Sequence, residues 1–329
     1  MENFNNFNKI LGNKKIINAM KKTIVKGNLS HAYIIDGEAG INSLDITLAF
    51  VSTILCENKC GCGICSHCKR IKSNNHPDII FVEKKDKATI GVDIIRDEIN
   101  STVSIMPFES QYKIYIILNG NDLTVQSQNA LLKTIETPPE FCIFIIITTN
   151  HNELLPTILS RCVLYKLSLL TGTEMEIYIK DQYTLADDEV SFYASYSFGN
   201  IGRAKNIIES QDFNAIRNNL TKILTALDNL DLNELFSLYD FFKENKDKMD
   251  IIFEIMLFWY RDVIIAKETK GKLIIQKDKK NVILRESEKF TIKNLLFKIS
   301  SIKECQQRIS RNANFQISIE CLLLKLKEK

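Results

Sequence analysis

The sequence of 329 residues has no apolar run long enough to cross a membrane and no long block of charge of one sign. Its apolar run at residues 142–147 is short beside the roughly 20 residues that a bilayer requires. Residues 1–10 are rich in asparagine and lack the apolar core of a secretory signal, so we expect a cytoplasmic protein. With 45% apolar residues the chain is not of the disordered class, and a net charge of +3 neither demands nor excludes a nucleic-acid partner.

Cysteines are concentrated in one short segment, with five of the nine inside residues 56–68. In a reducing compartment, clustered thiols indicate a metal site rather than disulfides. The predicted ligands of a structural Zn²⁺ are Cys56, Cys62, Cys65 and Cys68. The last three have the spacing of a zinc knuckle, and a fourth thiolate closes the tetrahedron and leaves no position for water. Cys60, and after it His67, is the alternative to Cys56, while reduced thiols or an iron–sulfur cluster are the alternatives to zinc.

Strand-like and helix-like patterns alternate in the first half of the chain. The predicted strands are the apolar runs at residues 32–36, 78–82, 112–118, 141–148 and 162–167. Strands that alternate with helices predict a mainly parallel sheet with helices on both faces. From residue 173 onward the chain has no proline and shows helical periodicity almost throughout. We therefore predict an α/β domain at 1–168, a small helical unit at 169–210 and a helical bundle at 211–329, with Trp259 in a core helix.

The first predicted strand is followed by a glycine-containing turn and a helix, which is the order of a phosphate-binding P-loop. Gly37 matches the first glycine of the motif G-x-x-x-x-G-K-[ST], and Gly40 lies inside the motif. Its second glycine is replaced by Asn42, its lysine by Ser43 and its Mg²⁺-binding hydroxyl by Leu44. The loop is therefore degenerate, and the alternative is that the two glycines only turn the chain.

A second requirement of nucleotide hydrolysis is also missing. An acidic pair that holds Mg²⁺ and positions water should follow the strand at 112–118, but that segment offers only Asp122. Since the lysine, the hydroxyl and the acids are lost together, we expect a fold that has kept its shape and lost hydrolysis, with no bound ATP.

Short motifs follow one another in order between residues 31 and 162. They are His31-Ala32-Tyr33, the degenerate loop, the cysteine knuckle, His76-Pro77-Asp78, Gln128-Asn129-Ala130-Leu131-Leu132-Lys133, Glu136-x-Pro138-Pro139 and Leu155-Pro156-Thr157-Ile158-Leu159-Ser160-Arg161-Cys162. As a set they resemble the AAA+ clamp-loader family of bacterial DNA polymerase III. The degenerate loop is similar to that of the delta prime type of subunit rather than the ATP-hydrolysing gamma/tau type. Residues 199–204 resemble the lid motif of the family, but more weakly than the motifs above resemble theirs.

The resemblance implies a hetero-pentamer with gamma/tau and delta subunits that opens the sliding clamp and places it on primed DNA. It implies an AAA+ α/β domain with a zinc knuckle, a helical lid and a helical collar that holds the pentamer together. This subunit would be a non-catalytic stator, and polymerase activity would belong to other subunits. Arg161, flanked by Ser160 and Cys162, would act as an arginine finger in the ATP site of a neighbouring gamma-type subunit.

Other residues have both a structural and a functional interpretation. Thr148 or Thr149 lies where relatives sense γ-phosphate, and Arg203 lies where they keep a second sensor. Here we expect an ordinary strand end and a structural salt bridge, and we expect His76 to pack beside the knuckle. The basic residues that we expect to form a solvated face rather than a DNA contact are Lys69, Arg70 and Lys72.

Two other functions are the alternatives. A gamma/tau-type ATPase requires a lysine near residue 43 and acids near 118–119, and the sequence has neither. A DNA-binding zinc module requires tight, salt-dependent binding by the chain alone, which the near-neutral net charge disfavours.

Overall fold

A computed structural model describes residues 6–85 and 88–328, so the expectation about residues 1–10 lies partly outside the described part of the chain. The contacts divide the chain into two units. The first runs to Tyr178 and includes Ser197–Arg203, and the second comprises Ile179–Tyr196 and the chain from Ala204 on. The three-domain division at 1–168, 169–210 and 211–329 stays a prediction.

Five strands form the sheet of the first unit. They are β1 (Ala32–Asp36), β2 (Ile79–Val82), β3 (Lys113–Ile117), β4 (Cys142–Thr148) and β5 (Val163–Lys166). Their order across the sheet is β2-β3-β4-β1-β5, and every neighbouring pair is parallel. The predicted parallel sheet is confirmed, and each predicted strand matches an observed strand to within one residue at each end.

The central strand β4 shows why the sheet forms. All seven of its residues are buried, as expected for a parallel strand with helices on both faces. Ile143, Ile145 and Ile147 belong to one apolar cluster. Phe144 and Ile146 belong to another. Since successive side chains of a strand point to opposite faces, one uninterrupted apolar run supplies both cores.

Helices connect these strands. Those of the first unit are α1 (Lys14–Val25), α2 (Ser43–Leu55), α3 (Ser66–Lys72), α4 (Val92–Ile95, continued by a π-helical turn at Arg96–Asn100), α5 (Val125–Glu136) and α6 (Pro156–Leu159). Two further helices, α7 (Gly172–Gln182) and α9 (Ile201–Glu209), belong partly to each unit.

Two of these helices have ends that the local sequence fixes. The side chain of Thr124 accepts a backbone hydrogen bond from the first turn of α5. That helix ends at Glu136, ahead of Pro138 and Pro139, because proline cannot continue a helix. Helix α6 begins at Pro156, whose fixed φ suits the first helical position. These ends place Glu136 and the segment after α6 at defined positions.

The described residues of the second unit form helices joined by loops and turns, with no strand among them. Its helices are α8 (Asp187–Tyr196), α10 (Gln211–Ala226), α11 (Leu232–Ser237), α12 (Tyr239–Glu244), α13 (Met249–Thr269), α14 (Lys280–Lys289), α15 (Ile292–Ser310) and α16 (Phe315–Lys327). Trp259 is buried in α13, so its predicted place in a core helix is confirmed. Within 6–85 and 88–328, no helix has both the length and the apolar character that a membrane span needs.

Candidate functional site

The cysteine module follows α2. Its four predicted ligands, Cys56, Cys62, Cys65 and Cys68, are brought together with all their sulfur atoms within 4.8 Å of one another. Gly61 and Gly63 turn the chain between them at positive φ (63° and 75°), which glycine adopts without strain. Cys60 is exposed and His67 is half-buried, and neither belongs to this group. Four soft sulfur donors in this arrangement are compatible with a tetrahedral zinc site.

The electrostatics of Cys56 favour a metal ligand. Burial alone would raise the pKa of its thiol, but backbone N–H groups, first that of Cys62, outweigh burial and lower the pKa to about 6. The Cys62 N–H donates to Cys56 Sγ over 3.4 Å, and the Cys65 N–H donates to Cys62 Sγ over 3.4 Å. These hydrogen bonds therefore favour the thiolate form of Cys56, which is the form that binds metal.

His76 lies beside this module, as predicted. It is buried, and its Nε2 is 2.9 Å from Nδ1 of His67. The sequence analysis missed the role of Asp78, although it lies in the quoted His-Pro-Asp motif. The Asp78 carboxylate accepts hydrogen bonds from the N–H groups of Phe108, Glu109 and Ser110. Burial alone would raise its pKa, but these donors outweigh burial and lower it.

The basic residues beside the knuckle, Lys69, Arg70 and Lys72, are exposed. Arg70 forms an ion pair of 2.6 Å with Glu109. This arrangement agrees with the predicted solvated face.

The degenerate phosphate loop lies between β1 and α2, and the chain itself is packed against it. Asn200 donates from Nδ2 to the carbonyl of Ala39 over 2.7 Å, and the Gly202 N–H donates to the carbonyl of Gly40 over 2.9 Å. A Cβ on Gly202 would lie only 2.7 Å from Cα of Gly40. We call this contact of Ala39 and Gly40 with Asn200 and Gly202 the Gly40 closure.

Little space is left beside the Gly40 closure. A cavity of about 10 Å³ is lined by residues that include Leu11, Ile41, Asn42 and Leu170. Such a volume holds about one water molecule. At the start of α2, Ser43 is buried and Leu44 is partly buried, and neither side chain can carry the positive charge of the P-loop lysine.

The polar groups at the carboxyl end of the sheet bind one another. The hydroxyls of Thr148 and Thr149 donate to Oδ1 of Asn121, over 3.4 and 3.3 Å. Asp122 pairs with Lys84 at 3.2 Å. Thr148 is buried at the end of β4, which agrees with the predicted strand end.

Asp36, the last residue of β1, is 2.7 Å from Nδ1 of His151. The guanidinium of Arg203 lies 5.2 Å over the ring of Phe198, and its predicted salt bridge stays a prediction.

In contrast to these paired groups, Arg161 lies on the surface between α6 and β5, with 38% of its side chain exposed. Its Nη1 donates to the carbonyl of Thr157 over 3.0 Å and to Oγ of Ser160 over 3.2 Å. Its Nη2 lies 3.0 Å from Oε1 of Glu136. Cys162 is half-buried, and burial raises the pKa of its thiol to about 12, so it stays protonated and serves packing.

Comparison with known proteins identifies the family. A family model described as "DNA polymerase III, delta subunit" matches residues 12–171, and one described as "DNA polymerase III, delta subunit, C terminal" matches residues 211–328. DNA polymerase III subunit delta' of Bacillus subtilis is 27% identical over 322 residues, covering 95% of this chain and 96% of that protein. The chain belongs to the delta' family of DNA polymerase III clamp-loader subunits.

More distant members of the clamp-loader group are similar too. The tau subunit of Bacillus subtilis is 26% identical over 347 residues, which cover 97% of this chain but 61% of tau. A gamma subunit-related protein of Thermotoga maritima, known as a crystal structure, is 18% identical and covers 94% of this chain and 98% of that one, with a TM-score of 0.43. Delta' membership fits better than the gamma/tau alternative, because both family models that match are models of the delta subunit and delta' of Bacillus subtilis matches over nearly all of both chains. The resemblance and the AAA+ fold class inferred from the motifs are confirmed.

Proposed function

We propose that this chain is the stator of the clamp loader, which does not hydrolyse ATP itself and completes the ATP site of a neighbouring gamma-type subunit with Arg161. Its proposed partners are the gamma/tau and delta subunits in a cytoplasmic hetero-pentamer. Through that assembly it would take part in loading the sliding clamp onto primed DNA.

The Gly40 closure is the observation that carries this proposal. A P-loop binds nucleotide because its backbone N–H groups enclose the phosphates and a lysine neutralises them. Here the Gly202 N–H and the Asn200 side chain bond to carbonyls of the loop, and the cavity beside it has a volume of only about 10 Å³. With Ser43 and Leu44 in place of the lysine and the hydroxyl, the loop lacks the positive charge with which a P-loop neutralises phosphate.

Arg161 supports the second half of the proposal. Two hydrogen bonds and one ion pair hold its guanidinium, whereas a guanidinium has five N–H donors. Two N–H groups, on Nε and Nη2, therefore have no acceptor among the described residues and are available to a phosphate. An arginine supplied from a neighbouring subunit accelerates phosphoryl transfer by roughly 10³–10⁵.

The test uses a reconstituted loader in which only the gamma-type subunit next to this chain keeps its P-loop lysine. Arg161→Ala should slow ATP turnover by roughly 10³-fold or more. Arg161→Lys keeps the charge, loses the planar fork and should rescue little. In parallel, calorimetric titration of the isolated chain with Mg²⁺–ATP should show no binding up to millimolar concentration. Micromolar binding, or full turnover with Arg161→Ala, would contradict the proposal.

We also propose that Cys56, Cys62, Cys65 and Cys68 hold one structural Zn²⁺. The metal would tie the loop after α2 to α3 and supply no reacting group. Cys65→Ser should lose the zinc measured by elemental analysis of the purified chain. Cys60→Ser is the matched control, and loss of zinc in that variant would instead make Cys60 a ligand.

A further inference from the structure

The guanidinium of Arg161 is not left to move freely on the surface. Thr157 and Ser160, both on its own segment, bind Nη1, while Glu136 reaches Nη2 from a different helix. Within residues 6–85 and 88–328, Glu136 is therefore the ion-pair partner that links Arg161 to another helix of the α/β unit, and the sequence analysis assigned it no role.

The position of Glu136 is determined by the backbone. It is the last residue of α5, which stops ahead of a proline pair. The same helix is tied to the segment before α6 by Gln128, whose Oε1 accepts the N–H of Leu155 over 2.7 Å. Leu131 of α5 and Ile158 of α6 are fully buried in the same apolar cluster. The carboxylate of Glu136 therefore lies at the end of α5 and the guanidinium of Arg161 lies just after α6, and these two helices are packed together.

Stability does not explain this pair. With 46% of Glu136 and 38% of Arg161 exposed, solvent screens their attraction, and such pairs contribute little to folding. Orientation does explain it. A long arginine side chain loses much rotational freedom when it must meet a phosphate, and a side chain already held in place loses less at that moment.

We propose that Glu136 is a positioning residue for Arg161, which aims the guanidinium at the γ-phosphate of ATP bound by the neighbouring subunit. The inference rests on the proposed arginine finger. Glu136 itself touches no substrate, and it leaves the N–H groups on Nε and Nη2 available to the phosphate.

The experiment uses the same single-site loader and measures kcat and KM for ATP. Glu136→Ala should lower kcat by about 10- to 100-fold, because a misplaced group costs rate while nucleotide affinity belongs to the neighbouring subunit. Glu136→Gln keeps an acceptor oxygen and should restore most of that loss. Glu140→Ala changes an exposed glutamate of the same α5–β4 connection and should leave both constants unchanged.

A merely structural role is separated by a double variant. Glu136→Ala should have no further effect when Arg161→Ala is already present, because a positioning residue acts only through its target. A Glu136→Ala loader with unchanged or faster turnover, or with an equal loss on the Arg161→Ala background, would overturn the inference while the finger stands. A fully active Arg161→Ala loader would overturn the finger and this inference together.

Discussion

The phosphate loop and the surface around Arg161 lie in the same sheet unit, yet they differ in what contacts their polar groups and in how much of each region is exposed. At the loop, backbone contacts backbone, and Gly40 and Gly202 leave no room for even one methyl group between them. At Arg161 only side chains and one carbonyl hold the guanidinium, and 38% of the whole side chain is exposed. The fold therefore packs its own backbone against the phosphate loop, whereas it leaves the side chain of Arg161 partly exposed to solvent.

Under the proposed function, this difference indicates how an ATPase fold would give up its own reaction and serve another subunit. A missing lysine can be restored by one substitution, whereas opening the Gly40 closure requires the packed backbone of Gly40 and Gly202 to separate, at a cost in stability. Under the proposed function, the closure would make the loss at the loop hard to reverse. The exposed guanidinium needs only small adjustments to meet a ligand, so it suits a site that another subunit completes.

The largest expected effect comes from breaking the closed region. Gly202→Ala places a methyl group 2.7 Å from Cα of Gly40, a backbone atom that cannot move aside cheaply. Although alanine is the better helix former, overpacking should win and cost about 2 kcal/mol of unfolding free energy. Chemical denaturation measures this. Gly172→Ala, where the added Cβ meets nothing within 4 Å, should be neutral or slightly stabilising, and equal losses in both would contradict the closure.

A pH-dependent effect is expected next to the same loop. Burial raises the pKa of Asp45, in the first turn of α2, to about 6. A raised carboxyl pKa means that the folded state disfavours the charge. The resulting cost is absent below about pH 4 and complete above about pH 6. The shift alone corresponds to about 3 kcal/mol, but the helix dipole and partial exposure reduce it, so Asp45→Asn should stabilise by about 1–2 kcal/mol at pH 7.5.

Denaturation of the Asp45→Asn variant and the parent chain at several pH values checks this sign. The gain should be nearly constant between pH 7.5 and about pH 6.5, and it should shrink as the pH falls from about 6 to 4. A gain that is constant with pH would mean that the carboxylate is not destabilised by burial.

Asn200→Ala sharpens the comparison by removing side-chain bonds from the closure while leaving its backbone contact. The variant loses the bond to the carbonyl of Ala39 and the acceptor for the Arg203 N–H. The expected cost is about 1 kcal/mol. Calorimetry should still detect no ATP binding, because the Gly202–Gly40 contact remains. Binding in this variant would show that the asparagine, not the backbone, keeps nucleotide out.

How far the sequence predicts these regions depends on how local each feature is. The strands follow from apolar runs that only a doubly covered sheet can bury, and the four cysteines follow from their spacing. The degenerate loop could be identified from Asn42, Ser43 and Leu44 alone. The closure could not, because Asn200 lies 161 residues beyond Ala39 and nothing local indicates that the two meet.

Glu136 and Asp78 teach the same lesson at shorter range. Both lie in motifs that carried the family resemblance, but the ion pair of Glu136 and the hydrogen bonds of Asp78 reach residues in other segments. A motif shows that a residue type is characteristic of the family. Only the packing of α5 against α6, or of the 108–110 segment against β2, shows which partner it serves.

The smallest expected effect on stability is at Arg161, and a large effect there would contradict the difference between the two regions. Arg161→Ala removes an exposed ion pair and two bonds to its own segment, so the unfolding free energy should change by less than about 0.5 kcal/mol. Thermal denaturation of the isolated chain at low and high salt measures it, and the small difference should vanish at high salt because the pair is screened. A loss as large as that of Gly202→Ala would mean that Arg161 supports the fold. The phosphate loop and Arg161 would then both serve stability, since the contacts of the guanidinium would support the fold rather than keep it available for a partner.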